Sequence, residues 1–182
     1  SQKSKLKIIE KDAFSNSLLA SILIPASVES IVGGWCSYTM NLNKLKISPG
    51  NRNFLYIDNK LLVGKSRPDN DYYDVLLFAR RDINKTVIPS FIKTIGPFTF
   101  SDCKKLKKIQ FTEDSQLSLI GNHSFNDSSI KKVTIPANVT VIDEYTFSSC
   151  KNLKTVSFQK GSQLKTICKY AFRDTAIEKF IV

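Results

Sequence analysis

Val141 to Phe158 reads VIDEYTFSSCKNLKTVSF, and forty-seven residues earlier Thr94 to Phe111 reads TIGPFTFSDCKKLKKIQF. Half of the paired positions are identical, including the Cys and the final Phe. The doubling is part of a finer period. Phe100, Phe125, Phe147 and Phe172 recur at steps of 25, 22 and 25, and the same steps separate Ile95, Ile120, Ile142 and Ile167. Leu106, Ile130, Leu153 and Ile177 follow at 24, 23 and 24, as do Ile109, Val133, Val156 and Phe180. Four interleaved apolar columns on one shared period predict a solenoid, in which each unit buries its apolar face only by stacking on its neighbours.

The columns run toward the N-terminus. LKIIEKDAF at Leu6–Phe14 matches LKTICKYAF at Leu164–Phe172 in residue type, and Val28–Ile47 keeps the spacing with Ile31 in the Ile column and Cys36 in the Phe column. Within a unit, KKLKKIQF, SIKKVTI and NLKTVSF read as short strands whose alternate positions face inward. Pro25, Pro89 and Pro136 directly follow Ile24, Ile88 and Ile135, where a residue without an N–H ends the ladder. A second extended piece follows, as in NVTVI and QLKTI. Next comes a turn carrying the Phe, where DAF, EYTF and KYAF predict a single helical turn.

SIKKVTIPANVTVIDEYTFSSC carries a motif close to L-x-x-I-x-I-P, then V-x-x-I, then A-F-x-x-C. The pattern resembles the BspA-like (Treponema pallidum type) leucine-rich repeats. The resemblance implies a right-handed leucine-rich-repeat solenoid, β-rich with short helical turns, of about seven stacked units spanning residues 1–182 as one domain. It also implies a non-enzymatic adhesion module, at a cell surface or secreted, that binds host or matrix proteins. One segment breaks the register. FLYI and KLLVG flank Asp58 and Asn59, which tolerate the backbone of a tight hairpin turn, and YDVLLFA reads as a third strand. A β-hairpin insertion at about residues 50–84 follows, and the resemblance implies one too.

Composition narrows the chemistry. The 182 residues carry a net charge of +11, supplied by Lys far more than Arg. Such an excess draws anionic partners, whereas the scarcity of Arg argues against sequence-specific DNA reading. No apolar run reaches the length of a membrane span. The chain opens on SQKSKL without a Met, so secretion stays open beside a cytoplasmic location. Cys103 and Cys150 occupy one column two units apart, about 10 Å at strand spacing, too far for a bridge. Four free thiols acting as small apolar residues are expected, and their spacings lack the pairs of a zinc site. His123, the one histidine, falls at a variable position beside Ser124, whose column holds Thr99, Thr146 and Ala171, and reads as a surface turn. No phosphate loop, metal-ligand cluster or nucleophile elbow occurs, so neither enzyme activity nor a cofactor is expected. The sequons at Asn84, Asn122, Asn126 and Asn138 lean weakly toward secretion.

The function classes left open are a protein-binding module and a polyanion binder. Both would use the water-facing strand positions, which stacking arranges side by side as an extended ladder: Lys44 and Lys46, Lys108, Lys132 and Lys179, with Lys107, Lys131 and Lys154 at the strand starts. The chain opens in mid-unit and ends on IEKFIV, which predicts either a piece of a longer array or ends that pair with a second copy.

Overall fold

A computed structural model describes residues 4–181. The described residues wind through sixteen strands. Seven longer ones lie along one face: β2 (Ser21–Ile24), β4 (Lys44–Ile47), β8 (Lys85–Ile88), β10 (Lys108–Phe111), β12 (Lys132–Ile135), β14 (Thr155–Phe158) and β16 (Lys179–Ile181). Six two-residue ones line a second face, β1 (Ile8–Ile9), β3 (Ser30–Ile31), β9 (Thr94–Ile95), β11 (Leu119–Ile120), β13 (Val141–Ile142) and β15 (Thr166–Ile167), joined there by the five-residue β7 (Val75–Ala79). Successive coils pair in parallel, with Val133 beside Val156 and Ile120 beside Ile142. Each period-24 column thus becomes a row of neighbouring side chains.

The third face corrects the expected helical turns. No α-helix forms among the described residues. Each turn carries two residues of positive φ, four apart: Phe98 and Asp102, His123 and Asp127, Tyr145 and Ser149, Tyr170 and Asp174. A left-handed residue every fourth position stops any helical ladder. The turn instead alternates its amides. Phe98, Phe100 and Asp102 donate to the carbonyls of Asn122, Ser124 and Asn126 in the next coil, while Ser101 and Cys103 close bonds to the third residue before them. The same scheme repeats from His123, Phe125 and Asp127 to Glu144, Thr146 and Ser148. The turns therefore form a third hydrogen-bonded ladder, which satisfies backbone that the core would otherwise strand.

Between the faces runs a file of aromatic rings. Phe100, Phe125, Phe147 and Phe172 stack nearly parallel, with centroids 4.8, 5.1 and 5.2 Å apart. The first three are fully buried. In the second coil Cys36 takes the Phe position, and neighbouring Trp35 fills the volume, edge-on to Phe14 at 5.9 Å and tilted against Phe78 at 5.8 Å.

The register break is a hairpin. β5 (Leu55–Ile57) and β6 (Leu61–Gly64) pair antiparallel around Asp58 and Asn59, both at φ 51°, the geometry of a primed turn. β6 then pairs antiparallel with β7, and β7 returns to the coil by pairing parallel with β9. The hairpin divides the core. Leu61, Val63 and Leu76 pack toward the C-terminal coils, whereas Leu62, Leu77 and Phe78 pack toward the N-terminal ones. Arg81 plugs the seam where a regular turn is missing. Arg81 is 3% exposed, and its guanidinium reaches the carbonyls of Cys36 and Thr39 on one side and Phe98 and Thr99 on the other, at 2.8 to 3.5 Å. It also lies 4.9 Å from the Phe78 ring centroid. One side chain stands in for the amides of an absent turn.

Candidate functional site

Alternation along each long strand sends one set of side chains into the core and the other into water. In β12, Val133 and Ile135 are buried while Lys132 and Thr134 are exposed. All eight lysines singled out above are exposed. Lys44 and Lys46 lie on β4, Lys108 on β10, Lys132 on β12 and Lys179 on β16, while Lys107, Lys131 and Lys154 stand just before their strands. Lys132 is in register with Thr155, which is in register with Lys179. Lys85 belongs to the same row, directly beside Lys108. Its segment DINKTVI reads like SIKKVTI, but the interruption before it hides the register.

Two features depart from the expected continuous ladder. Lys154 is held by Glu178 at 2.7 Å, which cancels its charge on the face. The long-strand face is also split, with β2 and β4 in one sheet, β8 and β10 in a second, and β12, β14 and β16 in a third. The hairpin explains the first gap. Pro136 contributes to the second: the next coil's Gln159 donates its N–H to Ile135 O at 2.9 Å, and Pro136, one coil earlier, has no N–H to give. The lysines thus fall into separated groups, with Lys85 and Lys108 on one sheet and Lys132 and Lys179 on the next.

The turn face holds residues that the sequence reading missed. Tyr38, Phe98, His123, Tyr145 and Tyr170 form a file of rings with centroids 4.7 to 5.2 Å apart, running parallel to the buried phenylalanines but half open to water. His123 is sandwiched between Phe98 and Tyr145. Burial lowers its pKa, against the opposing pull of Glu144 and Asp143. His123 itself lies on the half-open turn face, whereas the neighbouring Ser124, Thr99, Thr146 and Ala171, whose variability suggested a surface turn, are buried. The left-handed positions alternate with inward ones, so a variable, polar column can still face the core. A file of aromatic residues at the ring positions was the available signal.

The remaining candidates for chemistry are structural. All four cysteines are free thiols. Burial pushes Cys36, Cys103 and Cys150 up to about 11, so they stay protonated and inert at neutral pH, even with the Arg81 guanidinium within 4 Å of Cys36 and Cys103. Cys168 is partly exposed, and Ile167 before it is 44% exposed on the last coil rather than buried. No group of three metal-ligating side chains converges among the described residues.

A family model described as a BspA type leucine-rich repeat region, in six copies, matches residues 1–63 and 75–182. The chain belongs to this family. The unmatched residues coincide with the return loop of the hairpin. Among solved structures, a leucine-rich repeat protein from Eubacterium ventriosum superposes on 97% of this BspA-type chain with a TM-score of 0.75 at 25% identity. The pneumococcal vaccine antigen PcpA superposes on 92% with a TM-score of 0.69 at 19% identity, and a leucine rich cell surface protein from Faecalibacterium prausnitzii on 84% with 0.53 at 20%. This BspA-type chain spans about half of each of those proteins, 52%, 49% and 51% respectively. No curated protein is significantly similar to it in sequence.

Proposed function

We propose that this repeat array is a non-enzymatic interaction module, displayed at a cell surface or secreted, that engages a protein partner through the long-strand face. The observation that carries this reading is the exposure of Lys44, Lys85, Lys108, Lys132 and Lys179 on the long strands, with Lys85 directly beside Lys108 and with Lys132 and Lys179 on either side of Thr155. A face with grouped exposed cations suits an extended acidic surface, since complementary potentials speed encounter and fix orientation. Structural neighbours described as a cell surface protein and as a vaccine antigen support the location. No helix among the described residues is long and apolar enough to cross a membrane. The test is a binding screen of the purified domain against extracellular matrix proteins at low and physiological salt, repeated with Lys44→Glu and Lys132→Glu together. Binding that charge reversal leaves unchanged would remove the long-strand face from the function. A steep loss of heparin or nucleic-acid affinity over the same salt range, with no protein bound, would favour the polyanion reading through counterion release.

A further inference from the structure

The break between β10 and β12 opens a recess of about 300 Å³ on the outer face of the sheets. Lys108 stands on one rim and Lys132 on the other, with Gln110, Thr134 and Gln159 among the lining and Phe111 at the apolar end. No carboxylate lines it, and neither lysine joins an ion pair among the described residues. Gln159 Oε1 accepts the Ala137 N–H at 3.1 Å, so its amide NH₂ is the group left to donate. Thr134 Oγ1 and Ser157 Oγ share a bond of 2.9 Å, which fixes the hydroxyl at the recess edge.

We propose that this recess binds an anionic sugar residue, a uronate or a sulfated monosaccharide within a longer glycan. Two cations without acidic neighbours select negative charge. Amide and hydroxyl groups that both donate and accept match sugar hydroxyls. The volume sits at the small end of ligand pockets, the scale of one ring. An intercalated peptide strand fits worse. Two rungs of sheet require about 9.6 Å between the flanking strands, whereas several Cα atoms of β10 and β12 approach within 8 Å. A lone acidic side chain from a protein partner would leave most of the volume unfilled. The inference adds a ligand class to the face and does not depend on whether a protein also docks there.

The experiment is calorimetric titration of the domain with a sulfated heparin disaccharide, an unsulfated chondroitin disaccharide carrying its uronate, neutral cellobiose and a tetraglutamate peptide. Lys108→Gln with Lys132→Gln removes the rim charges, and Lys107→Gln with Lys131→Gln removes the same net charge from neighbouring positions that do not line the recess. All four lysines are exposed, so both variants fold. The expected result is binding of one or both acidic disaccharides but not cellobiose. Losing the rim pair should weaken it about tenfold or more, the control pair about threefold or less. Equal losses in the two variants would mean diffuse surface attraction and overturn the site. So would binding of tetraglutamate as tight as that of the sugars with the same rim dependence, or no binding of either disaccharide.

Discussion

At the scale of single residues, the buried ring file concentrates stability in a few side chains. Phe147 is fully buried and stacked on both faces, against Phe125 and Phe172. Phe147→Ala should cost about 3 to 5 kcal/mol, since rigid neighbours above and below cannot collapse into the space. Urea denaturation measures it, and a loss well under 1 kcal/mol would mean that the stack relaxes freely. Arg81 is a different case. It is a buried cation with no carboxylate partner among the described residues, stabilised by carbonyl dipoles from the coils on either side of the seam. Arg81→Ala should cost about 2 to 4 kcal/mol, because it strands those oxygens in the interior. Lysine should restore only part of that, as one ammonium cannot span both sides of the seam as the planar fork does. The phenylalanine column was legible because apolar identity repeats at a fixed step. Arg81 was not, since its role exists only where the repeat is interrupted and its partners lie 17 to 45 residues away.

At the scale of elements, the turns explain how a β-solenoid closes its third side without helices. Ser149 at φ 60° and Tyr145 at φ 54° both sit in the left-handed region, where a Cβ costs about 1 to 2 kcal/mol. The cost is offset by amides that reach the next coil, Tyr145 to Lys169 O and Ser149 to Arg173 O at 3.3 and 2.8 Å. Ser149→Val should destabilise by about 1 to 2 kcal/mol, because branching at Cβ worsens the clash, while Ser149→Gly should be near neutral. Thermal melts of the two variants separate strain from hydrogen-bond loss, as both keep the amide. Sequence reading predicts a helical turn here because the first positive-φ position of these turns holds aromatic Phe98, Tyr145 and Tyr170, which seldom adopt it, although Asp102, Asp127 and Asp174 at the second position are of a type that does. The split of the long-strand face was likewise veiled. Pro136 marks a strand end in the sequence, but that it also withholds a rung from β10 emerges only once the coils are in register.

At the scale of the whole molecule, the hairpin makes two stacks out of one repeat. Among the described residues the C-terminal cluster holds 25 buried apolar residues and the N-terminal one 12, and β6 and β7 wall them apart, with Leu61, Val63, Leu76 and Ala79 on one side and Leu62, Leu77 and Phe78 on the other. In a linear array, stability is a sum of coil and nearest-neighbour terms, so a weak interface lets one end open alone. The smaller cluster contains Trp35, the only tryptophan of the chain. Its fluorescence therefore reports the N-terminal coils, while far-ultraviolet circular dichroism is dominated by the longer C-terminal stack. In urea the fluorescence transition should come first, with the dichroism following at higher concentration. Arg81→Ala should widen the gap between the two midpoints, because the guanidinium is the main polar tie across the seam. Coincident transitions in both the parent and the variant would mean that the hairpin transmits cooperativity rather than interrupting it.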